Sequence, residues 1–141
     1  MVEERVPVAL VSHKNLFLLD NEGILFKEAE HTDTTDMPVI TGLSFSAESA
    51  RLIKKVLALL HTAETNGVLK RDTISEIHID SDTGFTFYTL NEAMPIRIGF
   101  GDYEKKFALL ANILEDLRNR KLTPKMIDMI SSGRAQVRVT S

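Results

Sequence analysis

Short apolar runs separated by polar turns make up the first third of the chain. The run that ends at Val11 is followed by a polar turn around Lys14, and a second run is followed by a turn that contains Gly23. Short apolar runs between Asn, Asp or Gly turns are typical of antiparallel hairpins. We predict strands at residues 6–11, 16–20 and 24–26, a polar surface loop at residues 27–36 and an extended piece at residues 37–42.

Two longer segments carry apolar residues at helical spacing. Ser46 is the predicted N-cap of the first helix, and Asn66-Gly67 supplies the left-handed stop that ends helices. The second helix opens at Asp102, and basic residues at its C-terminal end favour the helix dipole. The predicted apolar stripes are Ala50, Ile53, Val56, Leu57 and Leu60 in the first helix, and Phe107, Leu110, Leu114 and Leu117 in the second.

Three further strands are predicted between the helices, at residues 74–80, 85–90 and 94–99. Val137 and Val139 alternate with polar residues and predict a final strand, whereas the segment after Pro124 fits either helix or strand. The order of elements predicts one α+β domain over residues 1–141. Its expected architecture is a mostly antiparallel twisted sheet with two amphipathic helices packed on one face.

Composition narrows the function classes. A net charge of −3 argues weakly against nucleic acid as a partner, and each of three basic clusters is expected on a solvated helix face or end: residues 54–55, 105–106 and 118–121. The absence of cysteine excludes disulfides and thiolate chemistry but does not fix the compartment. No stretch approaches the roughly 20 apolar residues of a membrane span, so this domain is expected to be soluble.

The chain starts directly with an apolar, β-branched stretch after Glu3 and Glu4. We expect this start to be a cut at a domain boundary, with Met1 added for expression. On this interpretation, the lack of a targeting segment says nothing about where the parent protein resides.

Candidate catalytic chemistry is sparse. Asp80, Asp82 and Gly84 have part of the spacing of a calcium loop, but the later ligands are missing, so a hairpin turn is favoured. Residues 99–101 favour a strand-to-helix turn over a phosphate loop. The four histidines lack metal-ligand spacing, and His78 is expected to face water from a strand. We predict no catalytic, cofactor-binding or metal residues. The alternative is a small ligand-binding or hydrolytic α+β domain that uses His78, Asp80 and Asp82.

Five segments, in order, resemble a known family. The chain is similar to the extracytoplasmic β domain of the bacterial cell-division proteins FtsQ and DivIB, over nearly its whole length. The matching segments are Glu4-Arg5-Val6-Pro7-Val8-Ala9, the Leu19-to-Phe26 hairpin, Met37-Pro38-Val39-Ile40-Thr41-Gly42, the Ile96-to-Leu110 strand–glycine–helix unit and Ile127-Asp128-Met129.

The resemblance implies a non-enzymatic interaction domain without a cofactor. Family members cross the inner membrane once and carry a POTRA domain before this β domain, which lies in the periplasm or otherwise outside the cytoplasm. They bind the division proteins FtsB and FtsL and help to place septal wall synthesis. A generic adaptor with unrelated partners is a second alternative.

In the family, the partner docks by strand addition on the last strands of the β domain. In this chain the corresponding partner-binding residues are Ala135, Gln136, Val137, Arg138 and Val139. Ile130 replaces the family's usual arginine, so only the surface is transferred and not a set of side-chain contacts. Asp128 matches the family pattern and is interpreted as structural.

Overall fold

The computed structural model describes residues 5–30, 37–44, 46–131 and 134–139. Within these ranges the chain forms two helices and nine strands of one sheet. The strands are β1 (Pro7–His13), β2 (Asn15–Asp20), β3 (Leu25–Glu28), β4 (Val39–Thr41), β5 (Ile74–Asp80), β6 (Gly84–Thr89), β7 (Pro95–Gly99), β8 (Pro124–Asp128) and β9 (Gln136–Val139), and the helices are α1 (Ser49–Thr65) and α2 (Tyr103–Asn119). Glu4, the loop residues 31–36 with His31, and Ser132 and Gly133 lie outside the described residues.

One apolar row crosses the sheet and forms the floor of the core. The strand order is β3-β2-β1-β4-β5-β6-β7-β8-β9. Residues that face each other on seven neighbouring strands belong to one hydrophobic cluster or pack against it, together with the apolar faces of α1 and α2. In register order, this row is Val11, Ile40, Ile77, Phe87, Ile96, Ile127 and Val137.

A polar row runs along the opposite face of the sheet, because successive strand residues alternate between faces. In register order it is Thr41, His78, Thr86, Arg97, Asp128 and Gln136. This face is not entirely polar, since Leu10 and Leu18 oppose each other near its other end and are both 3% exposed. The polar row reaches the last strand of the sheet.

The expectation of a mostly antiparallel sheet is wrong, although the arrangement remains α+β. The sheet is mixed, because β1 pairs with β4, β4 with β5 and β7 with β8 in parallel. Helix α1 connects β4 to β5, and helix α2 connects β7 to β8. A helical crossover returns the chain to the same end of the sheet, so the two strands that it joins run in the same direction.

The helix ends agree in part with the sequence. Asp102 precedes α2 as predicted, and Gly67 ends α1 with a φ of 68° while its N–H donates to the Glu64 carbonyl. The predicted N-cap at Ser46 is wrong, because α1 begins only at Ser49. Ser46 instead forms a preceding turn in which its carbonyl accepts the Ser49 N–H at 3.1 Å.

The segment after Pro124 is a strand. It pairs in parallel with β7 and in antiparallel with β9, and Ile127 and Met129 are completely buried. Local periodicity fitted helix and strand equally, so the pairing with both neighbours decides between them.

Candidate partner-binding edge

The last strand lies at one edge of the sheet. Among the described residues, β9 pairs with β8 and with no other strand. An edge strand has backbone N–H and C=O groups that find no partner within the sheet. A second, incoming strand can satisfy those groups.

The five sequence-predicted binding residues all lie on or beside this edge. Ala135 directly precedes β9, and the other four form it. Ala135 and Val137 are half-buried and pack against the core, whereas Gln136 and Arg138 are exposed. Val139 is 39% exposed and pairs with Pro124. The strand is therefore anchored on its inner face and open along its edge.

The connection from β8 to β9 is organised by Asp128. Its Oδ1 accepts the Ile130 N–H at 3.0 Å, and its Oδ2 lies 3.7 Å from Arg97 Nη1. The carboxylate thus holds the chain where it leaves β8, which is consistent with the structural role expected for this residue. A depression of about 640 Å³ lies beside it, lined by Asp128, Ile130, Ser131, Arg134, Ala135 and Gln136.

Two segments that carry the family resemblance meet at the other end of the sheet. Arg5 Nη1 donates to Asp20 Oδ2 at 2.6 Å, and the N–H groups of Glu22 and Ile24 each donate to Asp20 Oδ1 at 2.9 Å. Burial acts to raise the pKa of Asp20, but these hydrogen bonds outweigh it and leave the pKa below its usual value. Asp20 therefore fixes both the β2–β3 turn and the position of Arg5.

The alternative polar cluster is engaged in local structure. The Thr41 hydroxyl lies 2.8 Å from His78 Nδ1 and 2.6 Å from Glu76 Oε2. Asp80 Oδ1 accepts the N–H groups of Asp82 and Thr83 at 2.8 and 3.0 Å.

Hydrogen bonds from Thr83 and Asp82 lower the pKa of Asp80, even though desolvation opposes them. A general base needs a pKa closer to neutrality, so Asp80 is better suited to holding the hairpin turn than to base catalysis.

Lys106 departs from the expectation of a solvated basic cluster at residues 105–106. That expectation is wrong for this residue, which is only 4% exposed. Its Nζ donates to the carbonyls of Ile98 at 2.7 Å and Phe100 at 3.2 Å. The apolar stripe of α2 carried a usable signal, because Lys106 precedes Leu110 by four residues and Leu117 by eleven.

The described ranges contain no group of three or more His, Asp or Glu side chains that could hold a metal ion. In the same ranges, no helix is long and apolar enough to cross a membrane. The described residues thus define an α+β domain whose distinguishing feature is a free final strand.

Comparison with known proteins identifies the family. Residues 9–129 match the model of the C-terminal region of the cell division protein FtsQ/DivIB. The FtsQ of Geotalea daltonii is 34% identical over an alignment of 143 residues, which covers 97% of this chain and 52% of that protein. The FtsQ of an Anaeromyxobacter species is 42% identical over 120 residues, which cover 81% of this chain and 40% of that protein.

The chain belongs to the FtsQ/DivIB family of cell-division proteins. It spans about half the length of the curated relatives that it matches. Membership assigns it to the cell-division apparatus, the divisome, as the resemblance of the five sequence segments implied.

Proposed function

We propose that this chain is a single, non-enzymatic interaction domain that binds FtsB- and FtsL-type division proteins by strand addition to β9. The observation that carries the proposal is the free edge of β9 at the end of the sheet. An added strand gains backbone hydrogen bonds along the edge, and side-chain pockets beside it provide selectivity. The proposed binding residues are Ala135, Gln136, Val137, Arg138 and Val139.

The opposite edge of the sheet is less suited to this role. Strands β3 and β9 each have four residues, and each pairs with its neighbour through a register shift. They differ in charge, because β3 ends in two exposed charged side chains, Lys27 and Glu28, whereas β9 carries one, Arg138. Charged side chains on an edge strand oppose pairing with another chain. The comparison favours β9 as the docking strand.

Side chains around β9 offer contacts beyond the backbone. The depression at the β8–β9 connection gives room for a partner side chain and carries the exposed Arg134. At the other end of the strand, the exposed Val139 adds an apolar contact. A partner strand that runs along β9 would therefore meet a polar end and an apolar end, which distinguishes between the two possible strand directions.

In the parent protein we place this domain outside the cytoplasm, in the periplasm or an equivalent extracytoplasmic space. A POTRA domain and one inner-membrane helix would precede it. From this position it would help to place septal wall synthesis. The proposal includes no enzymatic activity, no cofactor and no nucleic-acid partner, and it draws on family membership and on the hydrogen-bonded state of Asp80.

Proline substitutions at two consecutive positions test the proposed edge. The N–H groups of consecutive strand residues point to opposite sides, so one of Gln136 and Val137 directs its N–H to β8 and the other to the free side. In one of the variants Gln136→Pro and Val137→Pro, we expect an unchanged unfolding midpoint and at least about tenfold weaker partner binding, because one or two docking bonds are lost. The other variant should also lose stability.

Binding is measured with the purified complex of the FtsB and FtsL extracytoplasmic segments from the same bacterium. The matched control is Glu28→Pro on the opposite edge strand, which should keep full affinity. Unchanged affinity in both folded β9 variants would rule out strand addition at this edge.

A further inference from the structure

Lys106 is a buried cation at the corner where β7 leads into α2. Its Nζ donates to the carbonyls of Ile98 and Phe100, which flank Gly99. Burial lowers the pKa of Lys106, and the carboxylates of Asp102 and Asp128 act in the opposite direction. Burying an amine is costly unless its hydrogen bonds are satisfied. The two carbonyls and the two carboxylates provide this compensation at one point of the fold.

Gly99, between the two bonded carbonyls, is the contact point for neighbouring elements. Its φ is 73°, and a Cβ at this position would lie 3.2 Å from the Ile130 Cα. A Cβ on Gly84, at the start of β6, would overlap the backbone of Gly99. The backbone held by Lys106 is therefore packed against both β6 and the first residues of the β8–β9 connection.

The β8–β9 hairpin joins the rest of the sheet through a short seam. The pairing of β7 with β8 places Ile96 opposite Ile127 and Arg97 opposite Asp128. One further backbone bond runs from the Met129 N–H to the Arg97 carbonyl at 2.8 Å. On the side of the hairpin away from β7, β9 has no strand neighbour within the described ranges. The seam, the Gly99 corner and the packing of Ile127, Met129 and Val137 on the core together set where the hairpin lies.

We propose that Lys106 is a positioning residue that holds the β8–β9 hairpin in place through the carbonyls on either side of Gly99. Without the amine, both carbonyls lose their side-chain donor and the packing of the Gly99 backbone beside Ile130 loosens. The hairpin then opens as a unit while the remainder of the sheet stays closed. The consequence for partner binding rests on the proposed function, but the opening of the hairpin does not.

Amide hydrogen exchange of the 141-residue chain tests this role without a partner. Lys106→Met keeps the apolar stem and removes the donor, and Lys105→Met at the exposed neighbouring position is the matched control. In the Lys106 variant, we expect residues 124–131 and 134–139 to exchange on the order of tenfold faster, the factor for losing two hydrogen bonds of ordinary net strength. Exchange in α1, β5 and β6 should stay as in the parent.

Equal acceleration throughout the chain, or none in the hairpin, would overturn the positioning role. If Lys106→Met does not fold, Ile130→Ala provides the second test, because it keeps the lysine bonds and removes the Ile130 Cγ1 that lies beside the Gly99 corner. The same regional acceleration is expected for it, and unchanged hairpin exchange would contradict the proposal.

Partner affinity separates this inference from the proposed function. With docking on β9, Lys106→Met should weaken binding of the FtsB–FtsL complex, whereas Lys105→Met should not. Faster hairpin exchange with unchanged affinity would place the docking site elsewhere and leave the positioning role standing. Unchanged exchange would refute the positioning role whatever the affinity.

Discussion

Asp20 is the residue that connects the start of the described chain to the first hairpin. Its two carboxylate oxygens accept hydrogen bonds from Arg5 and from the backbone of the β2–β3 turn. In the sequence, the Arg5 segment and the Asp20 turn are separate features of a family pattern. The structure gives them one physical cause, because a single buried carboxylate orders both. A sequence pattern indicates that each is present but not that they touch.

The lowered pKa of Asp20 predicts a pH-dependent contribution to stability. The folded state favours the ionised carboxylate, so the stabilisation is present above the unfolded-state pKa of about 4 and is lost as the pH falls through the lower folded-state pKa. We expect Asp20→Asn to reduce stability at pH 7 and this difference to shrink below about pH 4. Urea unfolding across this pH range provides the measurement.

Asp82→Asn is the matched control for this experiment, because Asp82 is exposed in another hairpin turn. It should leave stability nearly unchanged at every pH. A destabilisation by Asp20→Asn that is constant from pH 7 to pH 3 would contradict the linkage.

The sequence predicts which segments form helices and strands better than it predicts the relative directions of paired strands. Turn residues such as Asp80 and Gly67 mark the ends of elements, and apolar spacing identifies both helices. The parallel pairings were missed because local periodicity does not say which strands become neighbours. Lys106 was misplaced for a related reason, since adjacent lysines suggest a solvated cluster and only the tertiary fold buries one of them. The edge position of β9 likewise depends on the strand order of the whole sheet.

The stability of the domain should depend strongly on Ile127, the buried side chain at the seam between β7 and β8. Ile127 is completely buried in the apolar row, opposite Ile96 and Val137. Ile127→Ala leaves a cavity there, and we expect it to reduce the free energy of unfolding by about 2–5 kcal/mol in urea titrations at pH 7. Half-buried Met126 on the other face is the matched position, and Met126→Ala should cost clearly less. Equal costs would contradict the assignment of the two faces.

For the whole molecule, one covered face and one largely polar face leave the strand edges as distinctive surfaces. The two helices occupy the covered face, and the polar row crosses the other face as far as Gln136. The two edge strands have four residues each, but β3 ends in the exposed Lys27 and Glu28, whereas β9 carries the single charge of Arg138 and is anchored by Val137. This asymmetry supports the proposal that a partner docks on β9.

Docking on β9 is tested by an amide-exchange footprint of the domain with and without the FtsB–FtsL complex from the same bacterium. An added strand satisfies the free N–H groups of β9, so we expect residues 134–139 to exchange more slowly on binding. The β3 edge at Leu25–Glu28 should exchange as in the free domain. Binding that protects β3 and leaves residues 134–139 unchanged would contradict docking on β9.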